Sequence, residues 1–217
     1  MLPNKQQNPL LISFLTLRRC IGFLGILLPA ILSLGTLILA DCVNIQDSIS
    51  HYYFTIMGDV FVGILSAVAL FLILYKGYDR LDNIATNCAG VFAIGIALFP
   101  TTENNDIECA LFKFNNPLVH TIHYISAALF FITTACISYF LFTKTSGLPT
   151  NKKKERNNVY RACGIVIIIA VVAIFIVHQT EQVDKFPNLK PVFFLEWIAL
   201  IAFGISWIVK GEFILKD

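Results

Sequence analysis

The sequence predicts an all-α membrane protein, a polytopic bundle of about six transmembrane helices. Three observations lead to this fold class: 57% of the 217 residues are hydrophobic, only 14% are charged, and the mean hydropathy is +0.74. Soluble domains typically contain about 45–50% apolar and about 25% charged residues. We therefore treat residues 1–217 as a single integral membrane domain.

Six segments of the chain are long and apolar enough to cross a bilayer as helices. A hydrocarbon core of about 30 Å needs about 20 helical residues, and a helix pairs its own backbone groups where water is absent. The predicted spans cover approximately residues 20–40, 53–75, 85–100, 119–142, 162–178 and 192–209. The third span is the least apolar, because Asn83 and Asn87 lie near its start.

Each predicted span has a recognisable signal beside it. In chain order these polar, charged or proline residues are Arg18 and Arg19, Ser48 and Ser50, Asn83 and Asn87, His120, the basic run Lys152–Arg156, and Pro191. We treat the first span as a retained membrane anchor, and we interpret Ser48 and Ser50 as residues that cap the second helix. Serine hydroxyls accept hydrogen bonds from the first amides of a helix. Pro191 lies at or between helix ends, where proline interrupts helical structure. We interpret the basic run as a solvated face that contacts anionic lipids.

The basic residues predict the orientation of the bundle, because short cytoplasmic loops carry an excess of Lys and Arg. A cytoplasmic N-terminus puts thirteen basic residues inside: Lys5, Arg18, Arg19, Lys76, Arg80, Lys144, Lys152, Lys153, Lys154, Arg156, Arg161, Lys210 and Lys216. Only Lys113, Lys185 and Lys190 then lie outside. The sequence therefore predicts a multi-pass cell-membrane protein with both termini cytoplasmic. Membrane lipids are its expected partners, and a net charge of +2 gives no reason to expect nucleic acid.

Two of the six cysteines fall in predicted outer loops. Cys42 follows the first span, and Cys109 lies between the third and fourth spans. Disulfides form in oxidising compartments outside the cytoplasm. We therefore predict a Cys42–Cys109 disulfide, against the alternative of two free or buried thiols.

All four histidines and two embedded carboxylates lie toward the predicted outer face. His51, Thr55 and Asp59 are predicted to share one helix face, since residues four apart lie one turn apart. His120 and His123 share a side of the fourth helix in the same way, and Glu196 lies about one turn into the sixth. Ionisable groups within spans are costly and often functional. The structural alternatives are interfacial histidines and interhelical hydrogen bonds.

This polar set suggests a metal site and two catalytic candidates. His51, His120 and His123 form the predicted ligand set, and a carboxylate could complete a zinc site of nitrogen and oxygen donors. Asp59 and Glu196 are the candidates for a general base that would act on zinc-bound water. The spacing HxxH is weak evidence alone, because it lacks the glutamate of HExxH.

Three stretches carry a resemblance to a bacterial six-helix membrane family of unknown function: Ser48-Ile-Ser-His-Tyr-Tyr through Asp59, Ala97-Leu-Phe-Pro100, and His120 at the head of a helix. It covers roughly residues 45–145. The chain also resembles, more faintly, the CREST superfamily of membrane hydrolases. That resemblance implies a seven-helix fold and a zinc hydrolase whose site uses Ser48 or Ser50, Asp59, His120 and His123. This sequence instead shows six spans, and its histidines are spaced HxxH rather than HxxxH.

The predicted function is binding at an outer polar cavity that receives a lipid headgroup, an ion or a small molecule, with a link to transport. The alternative is an intramembrane metal-dependent hydrolase of a lipid amide or ester, with zinc as its cofactor. Haem ligation between two helices is a third option, although the opposite-face histidine pairs of an electron carrier are missing. The sequence leaves open whether the chain is an enzyme.

Overall fold

The computed structural model describes residues 9–101, 107–145, 147–180 and 189–216. Within them the chain forms six α-helices: α1 Pro9–Ala40, α2 Gly58–Leu74, α3 Arg80–Leu98, α4 Pro117–Cys136, α5 Asn151–Gln179 and α6 Pro191–Lys210. A 3₁₀ helix, Ile49–Phe54, precedes α2, and a π-helical turn, Ile137–Leu141, extends α4. The all-helical fold predicted from the sequence is confirmed.

Five of these helices are long and apolar enough to cross a membrane, and α2, with 17 residues, is shorter. The second predicted span, 53–75, is therefore too long at its start, because a 3₁₀ helix and a turn occupy residues 49–57. The third helix begins at Arg80 rather than near residue 85. Asp79 caps it there by accepting a hydrogen bond from the amide of Asp82. Local capping thus extends α3 through its polar first turns.

The helices form a closed ring of antiparallel neighbours in which each packs against the next and α6 packs against α1 and α5. Large apolar side chains on α1, α2, α3 and α5 face outward, for example Ile38, Leu74, Val91 and Phe175. α6 is the most enclosed, with 61% of its apolar window buried inside the bundle. An outward apolar surface of this extent fits a lipid environment.

The two ends of the bundle differ in chemistry. At one end Arg18 donates to the carbonyl of Lys210 at 3.0 Å, which brings the first and last helices together. We call it the basic end. At the other end His123, at the start of α4, contacts the 3₁₀ helix, and we call this the histidine end. Lys5 and Lys185, counted in the charge asymmetry, lie outside the described residues, as do parts of the second and third outer loops.

Candidate functional site

A group of polar side chains meets at the histidine end, where the 3₁₀ helix packs between the start of α4 and the start of α6. We define this polar cluster as Ser48, Ser50, His51, His123 and Glu196. Its members come from three separate stretches of sequence, and each interacts with another member or with nearby backbone. The sequence predicted that most of these residues lie at one membrane face, but not how they pair.

The 3₁₀ helix begins at Ser48 because its side chain caps the first turn. Ser48 Oγ accepts a hydrogen bond from the amide of Ser50 at 3.1 Å. The helix ends at Thr55, whose hydroxyl donates to the carbonyl of Tyr52 at 2.8 Å and accepts from the amide of Met57 at 3.2 Å. Threonine and serine hydroxyls compete in this way with helical backbone bonding. The predicted capping role of Ser48 therefore applies to this short helix and not to α2.

Glu196 fixes the 3₁₀ helix to α6. Its Oε2 accepts a hydrogen bond from the amide of Ile49 at 2.6 Å. Ser48 Oγ lies 2.9 Å from both carboxylate oxygens and can donate its one proton to either. Lys190 adds a second link through Asp47 at 2.6 Å. Glu196, predicted as a catalytic candidate, therefore has the contacts of a positioning residue.

His123 and Ser50 form a hydrogen-bonded pair. His123 is only 3% exposed, and its Nε2 lies 3.0 Å from Ser50 Oγ. On the other side of the ring, Nδ1 lies 2.7 Å from the carbonyl oxygen of Phe99. A carbonyl can only accept, so Nδ1 must carry a proton. In a neutral imidazole Nε2 is then the acceptor, and Ser50 donates its hydroxyl proton to it.

His51 is the neighbouring imidazole, and the fold keeps it neutral. Desolvation lowers the pKa of His51 from 6.5 to about 4. Asp47 opposes this shift of the pKa, whereas His123, His178 and Lys190 reinforce it. His51 is therefore an uncharged side chain at pH 7.

The remaining two histidines gather around Tyr124. The Tyr124 ring lies 4.3 Å from that of His120 and 5.7 Å from that of His178, both edge-on. It is also 6.0 Å from His123. The structure thus brings all four histidines toward one end of the bundle, where Tyr124 of α4 contacts His120 of the same helix and His178 of α5.

The predicted metal set of His51, His120 and His123 is not supported. No group of three or more His, Cys, Asp or Glu residues within the described ranges is arranged to hold a metal ion. Phe99 and Ser50 already occupy both nitrogens of His123, and His120 packs on Tyr124 instead. These residues do not fit zinc, so no chemistry is assigned to a metal here.

Asp59 is exposed on α2 and does not join the polar cluster. The predicted shared face of His51, Thr55 and Asp59 is wrong, because His51 belongs to the 3₁₀ helix and Asp59 to α2. Thr55 lies in the intervening turn, where the four-residue periodicity is lost. Asp59 therefore keeps no support as a catalytic candidate beside Ser50 and His123.

A disulfide joins Cys42 to Cys109, the pair predicted from the loops. Two hydrogen bonds run beside it, from Gln46 Nε2 to the carbonyl of Glu108 at 2.8 Å and from the amide of Leu111 to the carbonyl of Phe54 at 2.8 Å. The cross-link therefore lies beside the segment that carries Ser50.

The residues alone did not predict the Ser50–His123 pair, because Ser50 was interpreted mainly as a helix cap and His123 as a metal ligand. The two residues are 73 positions apart, and the orienting carbonyl of Phe99 has no side-chain signal at all. Only the CREST resemblance named both residues. Comparisons with protein-family models, curated proteins and solved structures gave no match, so both resemblances stay predictions.

Proposed function

We propose that this chain is a membrane-embedded hydrolase that cleaves an ester or amide of a lipid at the outer membrane face. Ser50 is the nucleophile and His123 is the general base. The observation that carries the proposal is the aligned series Ser50 Oγ, His123 and Phe99 carbonyl, with separations of 3.0 and 2.7 Å. A nucleophile, a base and a group that orients the base are the signature of an activated serine.

The reaction follows the usual acyl-transfer sequence. Ser50 Oγ attacks the substrate carbonyl carbon while its proton moves to His123 Nε2. The C–O or C–N bond breaks, the leaving group takes that proton, and the acyl group remains on Ser50. Water then attacks the acyl-serine, passes a proton to His123, and releases a carboxylic acid and the free hydroxyl of Ser50.

The surroundings of the pair support this assignment. Phe99 holds the imidazole in the tautomer whose free lone pair faces Ser50, although a neutral carbonyl stabilises an imidazolium less than a carboxylate would. Ser50 itself stays partly exposed at the bundle end, whereas His123 is buried. The pair therefore lies at the bundle end that we assign to the outer membrane face.

Binding without chemistry is the second candidate function, and it was the first one predicted from the sequence. The same polar cluster would then receive a lipid headgroup, an ion or a small molecule. His51 supports this candidate, because a neutral imidazole can both donate and accept hydrogen bonds. Hydrolysis requires Ser50 Oγ, whereas binding alone does not. The requirement for this hydroxyl therefore distinguishes the two candidate functions.

The test is labelling of the full-length detergent-solubilised protein with a serine-reactive fluorophosphonate. We expect covalent labelling of the unmodified chain and no labelling of Ser50→Ala. In His123→Gln the labelling rate should fall by about a hundredfold or more, because glutamine cannot act as the general base. Ser33→Ala is the control and should keep its labelling, because the Ser33 hydroxyl donates to the carbonyls of Pro29 and Ala30 in its own helix. If Ser50→Ala were labelled as strongly as the unmodified chain, Ser50 would not be the nucleophile. If the folded, unmodified chain were not labelled, binding without chemistry would be the favoured function.

A further inference from the structure

A cavity of about 520 Å³ opens at the basic end of the bundle, opposite the polar cluster. We call it the basic cavity. Five of its lining residues are cationic and one is acidic: Arg18, Lys144, Lys153, Arg156, Lys210 and Glu212. The cations come from α1, α5, α6 and the α4–α5 connection, so four parts of the chain contribute to one concave surface.

Three of these cations are buried. Arg18 is 9% exposed, Arg156 is 8% exposed and Lys210 is 6% exposed. Withdrawing a cation from water is costly unless a nearby anion or a set of hydrogen bonds compensates it. The partners of these side chains therefore show whether the protein itself supplies the compensation.

The partners of Arg18 and Lys210 are neutral. Arg18 Nη1 donates to the carbonyl of Lys210 at 3.0 Å, and Nη2 donates to the Tyr75 hydroxyl at 3.4 Å. Arg18 Nε is buried and has no hydrogen-bond partner among the residues that the structure describes. The Lys210 ammonium lies over two aromatic rings, 4.7 Å from that of Tyr78 and 5.0 Å from that of Phe142. Neither cation forms an ion pair with any residue that the structure describes.

Lys144 has acidic partners, and they show how limited the protein's own compensation is. It forms ion pairs with Asp79 at 2.7 Å and with Asp82 at 2.6 Å. The hydrogen bond to Asp79, followed by the one to Asp82, raises the pKa of Lys144. Asp79 and Asp82 therefore compensate Lys144, whereas Arg18 and Lys210 form no such ion pair within the described ranges.

The start of α5 makes this side of the cavity more positive still. Thr150 caps the helix by accepting from the amide of Lys153 at 3.1 Å, and no acidic residue occupies the first turn. Helix N-termini carry a partial positive charge that favours anions. Here the chain places Lys152 and Lys153 instead, which adds to the positive potential.

We propose that the basic cavity binds a phosphate-bearing anion, the chemistry shared by an acidic phospholipid headgroup and a soluble phosphorylated small molecule. Guanidinium and ammonium groups are the side chains that recognise phosphate oxygens. A bound phosphate would supply the negative charge that Arg18 and Lys210 lack. The volume accommodates a whole headgroup, and the exposed Tyr78 and Leu148 at its rim leave it open to the surface.

The test measures binding to the full-length protein purified in detergent without added phospholipid. One arm titrates short-chain phosphatidylglycerol and the other titrates inorganic pyrophosphate, each followed by the shift in melting temperature and by native mass spectrometry. Saturable binding of the lipid alone assigns a headgroup, and saturable binding of pyrophosphate assigns a soluble anion. Both results support the proposal, and saturable binding of neither probe would overturn it.

Two neighbouring lysines give a matched pair of variants. Lys153 lines the cavity, whereas Lys152 is exposed outside it beside Glu155. We expect Lys153→Ala to weaken binding of the effective probe at least tenfold and Lys152→Ala to leave it nearly unchanged. An equal effect of the two substitutions would indicate general charge attraction and would overturn a specific site.

Lys210→Met tests the buried charge itself. We expect it to abolish probe binding and to raise the melting temperature of the ligand-free protein, because an apolar side chain of similar length removes an uncompensated buried cation. Unchanged probe binding in this variant would contradict the role of Lys210. Because the cavity and Ser50 lie at opposite ends, each assignment can fail without the other.

Discussion

His51 illustrates how strongly a single residue can depend on its surroundings. Its imidazole lies at the histidine end and outside the spanning helices, yet desolvation lowers its pKa to about 4. An unfolded chain would restore the ordinary pKa near 6.5. The two states therefore differ in proton uptake over the range between these values.

We expect the stability of the detergent-solubilised protein to fall as the pH is lowered from 7 to 5. The folded pKa is below the unfolded one, so the unfolded chain binds the proton first, and the stability present above pH 6.5 is lost toward pH 4. For His51 the loss at pH 5 amounts to roughly 1–2 kcal/mol. Melting curves at both pH values check this. His51→Gln should reduce the difference in melting temperature between pH 7 and pH 5. An unchanged difference in this variant would show that other groups cause the pH dependence.

At the scale of elements, α1 packs closely against α6 through a pair of glycines. A Cβ built on Gly22 would lie 2.6 Å from the carbonyl oxygen of Gly204, and one built on Gly204 would lie 2.5 Å from that of Gly22. Small residues allow backbones to approach this closely in membrane bundles, where dispersion replaces the hydrophobic effect between helices. These two glycines set the separation of α1 and α6, and hence bring Arg18 beside Lys210.

Gly204→Ala should destabilise the bundle by roughly 1–3 kcal/mol, because the added methyl group forces the two backbones apart. Gly63→Ala is the matched control, since a Cβ at Gly63 meets no atom within 4 Å. Thermal melts of the two variants in the same detergent measure the difference. Equal melting temperatures would show that α1 can move away from α6 at little cost.

The second helix shows where sequence patterns lose their accuracy. Apart from Thr55, residues 53–57 are apolar or aromatic, so hydropathy predicted a start near residue 53. The structure breaks this segment at Thr55, because side-chain hydrogen bonds replace helical ones. The same break separates His51 from Asp59, so Asp59 does not belong to the polar cluster, whereas Glu196 does.

For the whole molecule, charge and cysteine chemistry agree on one orientation. The Cys42–Cys109 disulfide lies at the histidine end, and the contacts of Arg18, Lys144 and Lys210 lie at the basic end. Oxidised cysteines belong outside the cytoplasm, and excess basic residues belong inside. From these two independent kinds of residue we predict that the basic end faces the cytoplasm.

We expect Leu148→Cys, at a site that is 98% exposed at the basic end, to react with a membrane-impermeant maleimide only after the cell membrane is opened. In intact cells, reagent added after mild reduction should instead label Cys42 and Cys109. The unsubstituted chain measures the background from its four free cysteines. Labelling of Leu148→Cys in intact cells would reverse the orientation.

The sequence by itself determined the membrane fold, the approximate spans, the candidate disulfide and the end of the bundle where the histidines gather. These properties depend on hydropathy, charge counts and loop positions, which are local and can be read along the chain. The tertiary structure alone decided that Ser50 pairs with His123, that Glu196 fixes the 3₁₀ helix, and that Arg18 meets Lys210 across 192 positions. Such pairings depend on how helices pack, and no local pattern encodes the distance between side chains on different helices.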